Sequence, residues 1–328
     1  GSITGDIAIV KVGTGTTTIN FPEAYTGPTF VVGNLSVADT GSILGTSSFD
    51  VSRGRLFAVN DTGSLYYVAD RFSDSAPITL RGAQILVSGR PSTDITERFG
   101  AVTLAEGQNE ININNGGWNV ASTNILLAGL IQAPGSGATL RFNNLGNFGQ
   151  PNQVSVKVDG GLALTNGIIG PWAVVDRAFA TYDVAAGIAG LGRGGVSGYA
   201  GEGLLSGPLA TDNVRVRDTA TVRLIEDVSV NTLNFYPNGG SGTLDLDGRT
   251  LTLVGGGLMS AIDGDNRTNT IRNGTLTSGL AGGDLYFHVA NFGGTNRITN
   301  FDAIVADNGG QAVRLITSAG DGGTSNLN

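Results

Sequence analysis

Residue types that carry chemistry in many proteins are absent or nearly absent from this chain. Its 328 residues contain no cysteine, one histidine (His288) and one methionine (Met259). Without cysteine there is no disulfide and no thiolate, and one histidine cannot form a histidine cluster around a metal. A serine–histidine–aspartate triad would have to use His288. Since His288 alternates with Tyr286 in a strand-like run, we favour a surface position or a position in a stack of coils.

Positive charge and long apolar runs are scarce as well. Lys11 and Lys157 are the only lysines, and 19 Lys and Arg residues stand against 27 Asp and Glu, a net charge of −8. Such a chain repels a phosphate backbone, so no nucleic-acid partner is expected. No apolar run approaches the roughly 20 residues of a membrane helix, so no direct membrane span is expected. No signal peptide is visible, and we expect a mature fragment of a longer chain.

The residues that are abundant suit strands and corners. Glycine accounts for 53 residues, hydrophobic residues for 40% and charged residues for only 14%. In residues 241–279, Leu244, Leu246, Leu251 and Leu253 alternate with polar residues, which is the period of a strand with one buried face. Each run ends at Gly, Asp or Asn, residues that favour tight corners. This repetition predicts a β-solenoid, in which these leucines and Leu233 form one buried column with Asp245 and Asp247 outside.

The same pattern gives a division of the chain. We assign residues 1–184 and 209–317 to the coils of a single domain, residues 185–208 to a Gly-rich excursion, and residues 318–328 to a linker or tail. At roughly 20–25 residues per coil, about 12–15 coils are expected. Asn-rich corners are expected to stack as ladders between coils. Their residues are Asn112, Asn114, Asn115, Asn143, Asn144, Asn231 and Asn234.

Ordered motifs along the chain resemble one family. The residues that carry the resemblance are Lys11, Gly13, Gly15, Tyr25, Thr26, Gly27, Arg71, Asp74, Leu80, Gly82, Gly167, Gly170, Trp172, Phe179, Ala180 and Tyr182. Their succession resembles the autotransporter-associated β-strand repeat. The resemblance implies an all-β, right-handed parallel β-helix in a long exported protein of the bacterial cell surface, and therefore an extracellular location.

Two apparent functional motifs are better explained as structural. Gly190, Gly192 and Gly195 match G-x-G-x-x-G, but no helix is expected after them to bind a phosphate. The pairs Asp245/Asp247 and Asp263/Asp265 resemble the carboxylates of acidic-sugar enzymes. The first pair alternates with core leucines and should face solvent, and the second has corner chemistry whose spacing does not fit a calcium loop. No catalytic, cofactor-binding or metal-binding residue is therefore assigned.

Aromatic residues are the candidate contacts for a ligand or partner. Trp172, Tyr182 and Tyr199 are the main candidates, with Trp118 and the Tyr66–Tyr67 pair as further ones. A platform for stacking sugars is one interpretation. Aromatic staples that hold an excursion against the solenoid wall are the favoured interpretation, because each ring buries a large apolar area.

These observations favour a non-enzymatic extracellular structural protein, either a stiff module of a longer exported chain or a subunit of a filament or lattice. Its expected partners are copies of itself, in tandem or head to tail, and no cofactor is expected. Two alternatives stay open: an adhesin that binds a glycan or a cell-surface partner, and a polysaccharide lyase or hydrolase on the same fold.

Overall fold

Within the described residues of the computed structural model, every regular element is a β-strand and none is a helix. These residues are 2–60, 66–114, 121–143, 145, 154–193, 198–204, 207–291, 296–320 and 323–328. They form two compact units, one of Gly1–Leu162 with Tyr182–Ala189 and one of Ala163–Thr181 with Gly190–Asn328.

The strands up to residue 158 belong to the first unit, three short strands follow, and the remainder belong to the second unit. The first set is β1 (Thr4–Gly5), β2 (Ile9–Lys11), β3 (Thr16–Ile19), β4 (Pro22–Tyr25), β5 (Thr29–Val37), β6 (Ser42–Ile43), β7 (Phe49–Val59), β8 (Ile78–Arg81), β9 (Gln84–Ser88), β10 (Ile95–Glu106), β11 (Gln108–Asn114), β12 (Thr123–Gln132), β13 (Thr139–Asn143) and β14 (Val154–Val158). The short strands are β15 (Ala173–Val175), β16 (Ala178–Asp183) and β17 (Gly187–Gly190). The last set is β18 (Gly201–Glu202), β19 (Asn213–Val216), β20 (Thr221–Arg223), β21 (Val228–Phe235), β22 (Gly242–Asp245), β23 (Thr250–Ile262), β24 (Arg267–Ser278), β25 (Asp284–Asn291), β26 (Arg297–Val305), β27 (Arg314–Ala319) and β28 (Gly323–Leu327).

The first unit is a parallel solenoid with three strand segments per turn. β10 pairs with β12 from Ile95 to Leu104, its second half also pairs with β8 on the other side, and β11 pairs with β9 and β13, all parallel. Each segment therefore hydrogen-bonds to the corresponding segment of the next turn, and three parallel walls result. Inside them, three fully buried phenylalanine rings form a stack. The centre of the Phe72 ring lies 5.6 Å from that of Phe49 and 5.5 Å from that of Phe99.

The second unit follows the same plan, and its core contains the predicted leucine column. The first half of β23 pairs with β24 and its second half pairs with β25, whereas β21 pairs with β23, and β26 with β24, on both sides of a register shift. The five leucines expected in one column are fully buried in the same cluster: Leu233, Leu244, Leu246, Leu251 and Leu253. The ring of Phe287 packs 5.4 Å from that of Phe301 in this core. The β-solenoid prediction is confirmed.

The number of turns is smaller than expected, about nine instead of 12–15. The registers show the reason. Thr29 pairs with Phe49, an offset of 20 residues, but Ile95 pairs with Thr123, an offset of 28, and Asp284 pairs with Arg314, an offset of 30. The strand segments themselves differ in length, since β5 and β6 have 9 and 2 residues whereas β10 and β11 have 12 and 7. The period of the apolar residues contains no information on the length of a turn.

Residues 185–208 and 318–328 contain more regular structure than their composition suggests. β17 lies in the first of these segments, and Ile188, Ala189 and Leu191 are buried. β18 pairs in parallel with β19. In the tail, β28 continues the wall by pairing with β26, so backbone hydrogen bonds order a segment that is mostly Gly, Ser and Asn.

Asparagine stacking between turns is present at two of the predicted places. Asn112 and Asn143 occupy paired positions on neighbouring turns, and both donate to Glu110 Oε1. Asn231 Nδ2 donates to Asn213 Oδ1 at 2.7 Å. Asn115 and Asn144 lie outside the described residues. These bonds link one turn to the next through side chains as well as backbone.

The register of the leucine column predicts a sharp contrast between two aspartate substitutions. Leu246→Asp places an unpaired carboxylate in a core where Leu246 is fully buried, and should lower the free energy of unfolding by several kcal/mol. Ile225→Asp is the matched control, because Ile225 is 69% exposed and should change it by less than about 0.5 kcal/mol. Urea denaturation of both variants measures the difference, and equal stabilities would contradict the register.

Candidate functional site

The three candidate aromatic residues belong to different units. Tyr182 lies in the first unit, where its hydroxyl donates to Val158 O at 3.1 Å and accepts from Val158 N–H at 3.3 Å. Trp172 and Tyr199 lie in the second unit. The contacts of Tyr182 are those of a staple on β14, because both hydrogen bonds are made to one wall residue.

In the second unit, an outer layer covers one wall. Met259, Ala261 and Ala290 alternate along β23 and β25 with residues of the leucine core, so they face outward. Ile168, Val174, Phe179 and Leu191 pack on them, and Tyr199 and Tyr236 lie at the edge of this cluster. The wall makes room for Phe179 at Gly257, where an added Cβ would lie 2.9 Å from the ring. We call residues 166–181, 190–193 and 198–199 the outer layer.

Polar side chains fix the outer layer to the wall. Asn166 Nδ2 donates to Asn231 Oδ1 at 2.9 Å, and Asn213 Nδ2 donates to the Asn166 carbonyl at 2.6 Å. Asn234 Nδ2 donates both to the Arg177 carbonyl at 2.8 Å and to the Tyr199 hydroxyl at 2.7 Å. The buried asparagines of the wall therefore hold the outer layer through its own backbone.

Tyr199 and Tyr236 also interact with arginines. The guanidinium of Arg215 lies 4.7 Å from the centre of the Tyr199 ring, and that of Arg177 lies 5.2 Å from the Tyr236 ring. Arg177 also pairs with Asp263 at 2.6 Å. Burial raises the pKa of the Tyr199 hydroxyl, so it stays protonated. These contacts close the edge of the outer layer and favour the staple interpretation of Tyr199. Trp172 is half-buried, and its indole lies over Gly170.

His288 occupies a position in the stack of turns, between Met259 and Ser318. Its Nε2 lies 2.7 Å from the Pro171 carbonyl and its Nδ1 lies 2.6 Å from Ser318 Oγ. A carbonyl only accepts, so Nε2 carries the proton, and Nδ1 accepts from the serine hydroxyl. Since the second partner is a carbonyl and not a carboxylate, these contacts do not build a serine–histidine–aspartate triad. They attach the outer layer to β25.

Burial lowers the pKa of His288 to about 4, although its hydrogen bond to the Pro171 carbonyl acts in the opposite direction. In the unfolded chain, histidine titrates near 6.5. The stabilising contribution of neutral His288 is therefore complete above pH 6.5 and is lost as the pH falls toward 4.

We expect this loss to reach about 3 kcal/mol at pH 4, and to be absent from His288→Gln, which keeps a donor and an acceptor. Denaturation of both proteins between pH 7 and pH 4 gives the difference in their free energies of unfolding. Carboxylates contribute equally to both proteins and cancel. A difference that stays constant across this range would contradict the assignment.

The carboxylate pairs are engaged in ion pairs, and the prediction for Asp245 is wrong. Asp245 is 1% exposed and does not face solvent. Burial favours its neutral form, but hydrogen bonds from Asp247 N–H, Asn273 and Arg272 outweigh burial and lower its pKa. Asp247 does face solvent, with a positive φ of 50°.

Asp263 and Asp265 also have cationic neighbours. Asp263 accepts from the Tyr236 hydroxyl at 3.0 Å and pairs with Arg177. Asp265 lies 3.8 Å from the buried guanidinium of Arg297. Each carboxylate thus has its own arginine partner.

The first unit contains a buried ionisable cluster that the sequence analysis missed. Glu97 is fully buried, and its Oε1 accepts from the backbone N–H groups of Arg71 and Phe72 at 3.0 and 2.9 Å. Arg71 is also fully buried and donates to Asn60 Oδ1 and to the carbonyl of Gly41. The alternation in residues 95–99 (ITERF) already indicated the buried position, because Glu97 shares the inward face of β10 with Ile95 and Phe99.

Burial raises the pKa of Glu97 to about 8, against the opposing effect of the two backbone hydrogen bonds. The folded protein therefore holds a proton that the unfolded chain releases near pH 4.5. The stabilising effect of this proton is complete below pH 4.5 and is lost as the pH rises through 8.

For Glu97, the expected pH dependence is opposite in sign to that of His288. Between pH 4.5 and 9, the free energy of unfolding should fall by about 5 kcal/mol relative to Glu97→Gln, which keeps the acceptor of both backbone bonds. Equilibrium denaturation of the two proteins across this range measures the effect, and parallel curves would refute the assignment.

The remaining features concern metal binding, membrane spans, the glycine motif and Trp118. Across the described residues there is no group of three or more His, Asp or Glu placed to bind a metal. The same residues include no helix long and apolar enough to cross a membrane. Gly195 of the glycine motif and Trp118 lie outside the described residues. Comparisons of the chain with protein-family models, with curated proteins and with solved structures gave no match.

Proposed function

We propose that this chain is a non-enzymatic structural module of an exported bacterial surface protein of the autotransporter passenger type. The observation that carries the proposal is the parallel stack itself: within each unit, backbone hydrogen bonds join successive turns in register over three walls. Such a stack resists local opening, because each interior turn is held on both sides. The ordered motifs around Lys11, Arg71 and Trp172 support the passenger type.

Charge pairing along the walls supports the structural role. Arg223, Asp245, Arg272 and Asp302 occupy one register position on four successive turns, so the sign of charge alternates. Asp245 contacts the arginine on each side. An outward row with alternating charges stabilises the stack and lowers the field that a charged polymer would feel. An extracellular location and self-association, in tandem or head to tail, are parts of the same proposal.

The enzymatic alternative is tested by incubating the protein with polygalacturonate and alginate. We expect no release of reducing ends and no unsaturated products, because the candidate carboxylates are engaged by arginine. Release that disappears in Asp263→Asn/Asp265→Asn would overturn the proposal.

Incubation of the same preparation with trypsin should leave the β-type circular dichroism spectrum intact under conditions that digest the urea-unfolded chain. Light scattering over a concentration series tests self-association, and strictly monomeric particles would exclude it.

A further inference from the structure

We infer that the first unit binds a neutral saccharide chain in a polar cleft on its outer wall. The cleft has a volume of about 270 Å³. Its lining residues are Asn34, Gly54, Arg55, Gly82, Ala83, Gln84, Gln108 and Glu110. This site involves none of the aromatic residues discussed above and goes beyond the structural role proposed for the chain.

The cleft is a consequence of the solenoid register. Asn34, Arg55, Gln84 and Glu110 occupy one outward position on four successive turns. At roughly 4.8 Å per turn, this row extends over about 14 Å along the stack, longer than one sugar ring. The row therefore presents polar groups at a regular spacing to an extended ligand.

Glycine makes the floor of the cleft. Gly54 precedes Arg55 at the corner between two walls, and a Cβ there would lie 1.7 Å from the Gly33 carbonyl oxygen. No side chain fits at this position, and the backbones of the two turns approach closely. The next corner contains Gly82 with a positive φ of 62°. The corner is thus recessed beneath the row of longer side chains.

Most hydrogen-bonding capacity along the cleft is unused. The side chains of Asn34, Arg55 and Gln108 make no hydrogen bond or ion pair to any residue in the described part of the chain. Gln84 Nε2 donates to Glu110 Oε1 at 2.8 Å, and among the described residues its side-chain carbonyl oxygen accepts no hydrogen bond. Glu110 is already saturated at Oε1 by Gln84, Asn112 and Asn143. The free groups are thus a guanidinium, two amides and an amide oxygen.

This set of groups selects the ligand class. Ala83 is the largest apolar side chain of the lining, so an apolar ligand would gain little. A phosphate or sulfate would meet Glu110 and a protein of net charge −8. A metal cation would meet Arg55 and a single carboxylate. Vicinal hydroxyl groups donate and accept at once, which suits alternating amide donors and acceptors.

The test uses the full 328-residue chain and three neutral probes, cellopentaose, chitopentaose and mannopentaose, at millimolar concentrations in isothermal titration calorimetry. We expect at least one probe to bind. Arg55→Ala and Gln108→Ala should each weaken that binding about fivefold, because each removes hydrogen bonds to the ligand. Both side chains lack partners among the residues that the structure describes, so circular dichroism should show unchanged strand content.

The matched control is Arg249→Ala in the second unit, an exposed arginine that removes the same charge away from the cleft and should leave binding unchanged. Three results would overturn the inference. These are binding of none of the probes, binding that Arg55→Ala and Gln108→Ala do not weaken, and binding of trigalacturonate in place of all neutral probes.

Discussion

The structure depends on one constraint, the parallel hydrogen-bonding of each turn to the next in register. A turn of three strand segments leaves its backbone donors and acceptors open on both sides, and only another turn with the same segments can satisfy them. Once the register is set, alternation along each segment decides which side chains enter the core. Leu251 thus pairs with Val228 on one turn and Leu276 on another, and all three are buried in one cluster.

The same register forces outward side chains into rows, and this explains the treatment of charge. In a row that includes Arg223, Asp245 and Arg272, each charge lies beside an opposite one on the next turn. Asp245 contacts both arginines and Asn273, and although it points outward it is 1% exposed. Burial of a charge is tolerated here because hydrogen bonds and ion pairs compensate the lost water. Outward and exposed are therefore different properties in a solenoid.

That distinction marks how much could be predicted from the sequence. The solenoid and the leucine column around Leu246 follow from alternation, which is a local property. The turn number does not, since it depends on the length of each turn, which alternation leaves free. The burial of Asp245 and the contact between His288 and Pro171 depend on which residues share a register position or an outer layer. For Glu97, the inward position could be predicted from Ile95 and Phe99 beside it, but its partners Arg71 and Phe72 on another turn could not.

The separation of core and row also explains how such a chain acquires a site without losing its fold. The inward residues fix the stack, so exposed outward residues that are not part of a charge row can change with little cost in stability. Where a glycine corner such as Gly54 recesses the wall, a row of long polar side chains becomes the rim of a cleft. Where a wall carries small outward residues such as Gly257, a second layer packs on it and the surface is closed. A corner glycine such as Gly54 thus opens the surface to a ligand, whereas an outward wall glycine such as Gly257 lets a second layer cover it. A binding site is expected where a wall has corner glycines and no second layer.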